Sequence, residues 1–207
     1  YTFVHTLNRK ENPDTLFLDP NISYDLVVNT LPSVVKKNIT LQKHVHNVIE
    51  IPLPQGFIKL TSPKSIFSPQ FTMRISEKAT GKTLNHQLYE QTVKYLVGKY
   101  EAEIFTIPRI YKSVEVTQSN FSNVEIDAPG QLEYSFTTPQ IAQLFQLNNG
   151  TWNLVYSFSD VILKEKLLIQ PGNYKIVYRP KEMKSSGYTG EKMITISSNK
   201  STALSIN

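Results

Sequence analysis

The sequence predicts an all-β protein made of tandem small antiparallel β-sandwich modules. Three observations predict it. Apolar and polar residues alternate along most of the chain, which is the period of a half-buried strand. Gly, Pro and Asn break these runs at turn-like spacings. One strand pattern recurs about every 75 residues. The chain has 207 residues, 40% of them hydrophobic and 19% charged. That length can hold more than one packed core, and the composition is that of a globular protein. No segment carries a helical apolar stripe.

The recurrence is clearest at a tyrosine. Tyr24-Asp-Leu-Val-Val-Asn-Thr-Leu-Pro32 answers to Tyr100-Glu-Ala-Glu-Ile-Phe-Thr-Ile-Pro108, and Tyr174-Lys-Ile-Val-Tyr178 begins a third copy. Each tyrosine follows an apolar strand and a turn: Leu16-Phe17-Leu18 before Pro20-Asn21, Tyr95-Leu96-Val97 before Gly98-Lys99, and Leu168-Ile169 before Pro171-Gly172. Two short strands follow each time, Ile39-Thr40-Leu41 with Ile49-Glu50-Ile51, Val114-Glu115-Val116 with Val124-Glu125-Ile126, and Ile194-Thr195-Ile196 with Leu204-Ser205-Ile206. An insertion at Ser185-Ser186-Gly187-Tyr188 lengthens the third copy. The three tyrosines are expected to be structural.

Boundaries fall near Pro52–Pro54 and near Pro129. They give a partial module at 1–53 and full modules at 54–128 and 129–207. The full modules open on Gly-led strands, Gly56-Phe-Ile-Lys-Leu60 and Gly130-Gln-Leu-Glu-Tyr134. In the first full module, Phe71–Ile75 turns at Thr80-Gly81-Lys82 into the stretch after Thr83. In the second, Leu144–Leu147 turns at Asn149-Gly150, the strongest short hairpin signal, into Trp152–Tyr156. Pro139–Leu144 reads as one helical turn. The partial module lacks its Gly-led strand, which would leave an open edge and part of a core exposed. Upstream sequence is expected to supply it. The chain opens on a strand-like run with neither an initiating Met nor a signal-peptide pattern, so it reads as a fragment or processed product.

A Gly-led strand, a hairpin, an apolar strand, Gly-x-Tyr into a long strand and two short strands together resemble the transthyretin-like sandwiches, including PEGA and carboxypeptidase-regulatory-like modules. Over nearly the whole chain, a second set of residues carries a closer resemblance. These are Asp19-Pro20, Tyr24–Val28, Pro54-Gln55-Gly56, Tyr95–Tyr100, Pro108–Tyr111, and Gln170-Pro171-Gly172 through Arg179-Pro180-Lys181. The set resembles the region that follows the von Willebrand factor A domain in Bacteroidetes envelope proteins. That resemblance implies an extracytoplasmic, non-enzymatic, β-rich region and brings no active site. The Asp-x-Ser-x-Ser metal motif of the von Willebrand domain does not occur, so no adhesion-type metal site carries over. Asp14-Thr15-Leu16 resembles the short O-glycosylation acceptor of exported Bacteroidetes proteins.

Chemistry-bearing motifs are few. There are no cysteines, which excludes disulfide frameworks, thiolate zinc sites and Cys nucleophiles. The formal net charge of +5 is spread over strand-like alternations such as Lys164, Lys166, Lys175 and Arg179, not gathered with stacking aromatics, so nucleic acid is not expected as a partner. No run of eighteen apolar residues offers a membrane-spanning helix. His44-x-His46 would put two imidazoles on one strand face, half of a metal site, but only His5 and His86 could add to it. Gly81-Lys82-Thr83 has Ser76 where a phosphate loop needs its first Gly, and its flanks read as a hairpin. Glu101 and Glu103 share a strand face, and Asp14 and Asp19 flank a strand, with no sign of a pocket that would fix two carboxylates. No Gly-x-Ser-x-Gly elbow occurs. Asn-x-Ser/Thr triplets at Asn21, Asn38, Asn120, Asn149 and Asn199 are ordinary β-loop residues.

The expected function is therefore a non-catalytic, extracytoplasmic spacer or protein-interaction and adhesion scaffold, without cofactor or metal, that engages a protein partner or its own upstream domain. Short Pro-containing links would hold its modules in a fixed relation. The alternative is a carbohydrate-binding module. Trp152, the only tryptophan, together with Tyr156 and Phe158, has the even spacing that puts side chains on one strand face, where they would form an aromatic platform for a sugar ring. A metal-dependent hydrolase is the remaining alternative.

Overall fold

A computed structural model describes residues 2–6 and 16–206. The fold is all-β: the described residues contain sixteen strands and one 3-10 turn, Ser186–Tyr188. Asp14, expected above to flank a strand and to belong to a glycosylation motif, lies outside the described residues.

The chain divides into two compact units, Tyr1–Asn29 with Ser33–Pro52, and Thr30–Pro32 with Leu53–Asn207. In the first unit, β1 (Tyr24–Val28) pairs antiparallel with β2 (Val34–Ile39) as a two-stranded sheet. No described hydrophobic residue of this unit is fully buried, and Phe17, Val48 and Ile49 are all exposed.

The second unit holds two sandwiches with one strand order. The first has β3 (Gln55–Thr61), β4 (Thr72–Glu77), β5 (Thr83–Leu88), β6 (Thr92–Leu96), β7 (Gly98–Ile104), β8 (Ile110–Val116) and β9 (Phe121–Glu125). They form a three-stranded sheet β6-β3-β9 facing a four-stranded sheet β5-β4-β7-β8. The second has β10 (Gly130–Phe136), β11 (Gln140–Asn148), β12 (Thr151–Ser157), β13 (Lys164–Ile169), β14 (Gly172–Pro180), β15 (Gly190–Ile196) and β16 (Ser201–Ile206). Its sheets are β13-β10-β16 and β12-β11-β14-β15. All neighbours are antiparallel except β3 with β9 and β10 with β16.

Alternation decides which side chains fill each core. On β3, Ile58 and Leu60 face inward, and on β10, Leu132, Tyr134 and Phe136 do. They meet Met73, Ile75, Tyr100 and Ile104 in the first sandwich, and Leu144, Ile169, Tyr174 and Ile176 in the second. Each such side chain contributes roughly 1.5–3 kcal/mol by leaving water. Of the stretch expected as a helical turn, Pro139–Leu144, residues Gln140–Leu144 instead open β11. Its Ala142 and Leu144 are buried at a two-residue period, and pairing with β14 along its whole length overrides any local helical preference.

The tyrosines act as corner posts. Tyr100 and Tyr174 are buried, and their hydroxyls donate to the carbonyls of Leu96 at 2.7 Å and Gln170 at 2.6 Å. Tyr24 donates likewise to Asp19 O at 3.0 Å. The Tyr100 and Tyr174 bonds each tie a long strand to the end of the preceding one, whereas Leu16–Leu18, expected as a strand before Tyr24, is not one. Burial, helped by the Glu77 charge, pushes the Tyr100 hydroxyl up to about 12, so it remains a donor.

Gly56 and Gly130 stand where the first strand of each sandwich crosses the last turn. A Cβ at Gly56 would collide with Thr117 O, and one at Gly130 with Ser197 O. Backbone atoms cannot swing aside, so Gly56→Ala and Gly130→Ala are each expected to cost about 2–3 kcal/mol. Urea unfolding of the two variants checks this, and a loss below about half a kilocalorie would contradict it.

The hairpins follow their sequence signals. Gly81 (φ 70°) turns β4 into β5, and Asn149 (φ 48°) with Gly150 (φ 79°) turns β11 into β12. Two positive φ values in a row are what a tight hairpin loop requires.

The sandwiches are joined by a short, buried link and by two further attachments. Ile126, Ala128, Pro129 and Gly130 are buried along the connection. Ile107, in the loop between β7 and β8, packs against the core of the second sandwich, and its carbonyl accepts from Gln170 N at 2.7 Å. Asn199, in the turn between β15 and β16, accepts from Ile66 N and donates to Lys64 O, both at 3.0 Å. Within the second unit, Leu31 packs against the core of the first sandwich and its carbonyl accepts from Leu96 N at 2.8 Å.

Candidate functional site

Two outer sheet faces carry the side chains available for chemistry or recognition. On β12 the register runs Leu147↔Trp152, Gln146↔Asn153 and Phe145↔Leu154, then slips to Leu144↔Tyr156. Val155 is the extra residue of a β-bulge, and it reverses the facing of everything beyond it. Trp152 therefore lies on the outer face, with the Lys175 ammonium 5.2 Å from its ring centroid. Tyr156 packs against the core, and Phe158 is buried there, 4.9 Å from Tyr134 and 5.7 Å from Phe136 between ring centroids. The expected three-residue platform of Trp152, Tyr156 and Phe158 does not form, because even spacing keeps one face only where the ladder is unbroken. Burial, and then the Glu165 charge, raise the Tyr156 hydroxyl, which suits a core residue.

Trp152 has other neighbours that sequence spacing could not show. The row Leu154–Phe145–Lys175–Met193 crosses all four strands of the sheet, and Leu147 pairs with Trp152 in the next row. Leu147, Leu154 and Met193 are exposed. Lys175 pairs with Glu191 at 3.3 Å on the same face as the tryptophan. An apolar ring beside hydrogen-bonding groups can stack on a sugar or on an aliphatic side chain.

The corresponding face of the first sandwich is ionic. Glu103, nearly buried on β7, accepts from Arg109 Nη1 at 2.5 Å and Tyr111 Oη at 3.2 Å, and pairs with Arg74 Nη2 at 2.5 Å. Arg109 also lies over the Phe105 ring, which stacks with His86. Glu101, exposed two residues earlier, binds Lys78 and Ser113. The two carboxylates are thus each tied to their own cations, an arrangement for structure, not for proton transfer. Burial opposes ionisation of Glu103, but Arg109, Tyr111 and Arg74 outweigh it and hold the carboxyl below its usual range. Glu101, Glu133 and Asp160 are lowered too, chiefly by Lys78, Lys166 and Lys181.

A carboxyl lowered in the folded state stabilises the fold above its unfolded value and stops doing so as pH falls through the folded value. The melting temperature is therefore expected to fall as the pH drops below about 4, and Glu103→Gln should shrink that acid-side drop. Thermal melts of both proteins between neutral and acid pH test this. Equal acid slopes would show that Glu103 is not a contributor.

His44 and His46 do not share a strand. They occupy the irregular segment after β2, where His44 has a φ of 59°. Among the described residues no three His, Cys, Asp or Glu side chains gather in a metal-holding group. Gly81-Lys82-Thr83 forms the β4–β5 hairpin, closed by Glu77 N to Lys82 O at 2.9 Å, without a helix to receive a phosphate.

No known protein family matches the chain, and no curated protein sequence does. Solved structures do show similarity. The Bacillus anthracis TIE protein is 16% identical at a TM-score of 0.32, over 84% of this chain and 38% of that one. A candidate adhesin from Bacteroides ovatus is 8% identical at a TM-score of 0.33, over 68% of this chain and 76% of that one. The pilus adhesin SpaC of Lactobacillus rhamnosus GG is 10% identical at a TM-score of 0.24, over 69% of this chain and 26% of that one. The chain thus spans well under half the length of the Bacillus and Lactobacillus proteins. No helix among the described residues is long and apolar enough to cross a membrane.

Proposed function

We propose that this chain is a non-catalytic, extracytoplasmic array of β-sandwich modules that serves as a rigid spacer and protein-interaction scaffold in adhesion. The observation that carries the reading is the junction within the second unit. Its buried link, the Ile107 contact and the Asn199 bonds restrain the two sandwiches at three separate points. A spacer needs this, whereas a flexible linker would leave it out. The shared strand order supports reading the sandwiches as repeated, transthyretin-like modules. The exposed Phe17, Val48 and Ile49 of the first unit support a protein domain as partner.

The absence of cysteine makes introduced spin labels unambiguous. Labels at Lys82→Cys and Ser157→Cys, one on each sandwich, are expected to give a single narrow distance distribution by double electron–electron resonance. A broad distribution would overturn the spacer reading.

Carbohydrate binding is the second reading, and the half-buried position of Trp152 on the outer sheet face favours it. A glycan array probed with the protein and with Trp152→Ala tests it. Signal lost in a variant that melts normally would support binding through this face, and a blank array at high protein concentration would end the idea.

A further inference from the structure

In each sandwich the first and last strands are hydrogen-bonded neighbours that run parallel. β3 pairs with β9 from Phe57↔Phe121 to Thr61↔Glu125, and β10 pairs with β16 from Gln131↔Ser201 to Phe136↔Ile206. The chain thus comes in at one end of this ladder and leaves at the other. Tension along the chain slides the two strands past each other and loads every ladder bond at once. A hairpin pulled at its open end instead loses its bonds one by one. We infer that each sandwich bears mechanical load, with the parallel first-to-last ladder as a shear clamp against unfolding from the chain ends.

Three further features fit this role. The ladder extends past the strand ends, through Phe57 N to Asn120 O at 2.8 Å and Ile126 N to Thr61 O at 3.0 Å, and through Gln131 N to Lys200 O at 2.9 Å and Thr137 N to Ile206 O at 3.1 Å. The first strand is central in its sheet, flanked by β6 or β13, and its inward side chains are buried, so it cannot peel away. The last strand is pinned on its free edge. Lys112 donates to Glu125 O and Ser122 to Glu115 O, and in the second sandwich Lys192 donates to Ser205 O and Thr202 to Thr195 O. Load then passes from β9 to β10 through the short buried link, which has little slack.

The inference gives a use to the spacer reading but fails separately from it. A weak ladder would leave a rigid junction intact, and a loose junction would leave the clamp intact. The test pulls one ladder in two directions with optical tweezers, using pairs of introduced cysteines as handles. Pro54→Cys with Asp127→Cys shears the β3–β9 ladder, and Pro54→Cys with Gln118→Cys unzips it from one end. A severalfold higher rupture force in shear is expected, and equal forces would overturn the proposal. The ladder phase set by Phe57 and Ile126 points the Ser122 N–H toward β3 and the Asn123 N–H away from it. Ser122→Pro should therefore lower the shear force where Asn123→Pro does not. Should Ser122→Pro fail to fold, the two pulling directions on the intact ladder decide alone.

Discussion

Ile107→Asp is expected to split the unfolding of the two sandwiches into separate transitions. In the native protein Ile107 leaves the first sandwich between β7 and β8 and packs against the core of the second, while its carbonyl takes the Gln170 N–H. A carboxylate at that position must either sit against apolar side chains without a partner or pull the loop out into water. Either route costs about 2–4 kcal/mol of coupling between the sandwiches. Scanning calorimetry should show one transition in the parent protein and two in the variant, with a broadened spin-label distance between the sandwiches. A variant that still melts in one unshifted transition would show that the junction is held by the buried link and Asn199 without Ile107.

Tyr174→Ala is expected to be the most damaging single truncation in the second sandwich. The side chain is fully buried, donates to Gln170 O at 2.6 Å and accepts from Gln146 Nε2 at 3.3 Å. Its removal leaves a large cavity and two polar groups without a partner, a loss of roughly 3–5 kcal/mol. Tyr174→Phe keeps the packing and removes only the hydroxyl, for about 1 kcal/mol. Denaturant titrations of both variants separate the two contributions. If alanine cost no more than phenylalanine, the corner would owe its stability to the hydrogen bond and not to packing.

Much of the fold was legible in the sequence because its signals are local. Alternation at β3 and β10 marks the buried face directly, since side chains on a strand point to opposite sides in turn. Asn149-Gly150 announces its hairpin because few residues accept two positive φ values in succession. Tyr100 and Tyr174 stood out as structural because each follows a strand and a turn, and their hydroxyls close that corner.

The candidate site was legible only in part. Trp152 could be singled out as the lone tryptophan on a strand, yet its partners could not. The bulge at Val155 leaves no distinctive residue type behind, and it sends Tyr156 and Phe158 into the core. Pro139–Leu144 misled in the same manner, because its strand state comes from β14, which lies far along the chain. The recurring Thr-Leu-Pro and Thr-Ile-Pro triplets were the available signal for the junction. Ile107 is conspicuous at the end of a strand, but nothing local says that it faces a neighbouring core.

By itself, then, the sequence determined the all-β class, the strands of the two full sandwiches, the tight turns and the tyrosine corners, because each depends on residues within a few positions of one another, whereas Leu16–Leu18 and Ile49–Ile51, expected as strands, are not. Only the tertiary structure decided which aromatics stay outside, how one sandwich grips the next, and that the first and last strands of each sandwich lie parallel. Those features rest on contacts between residues tens of positions apart, which no local pattern of side chains encodes.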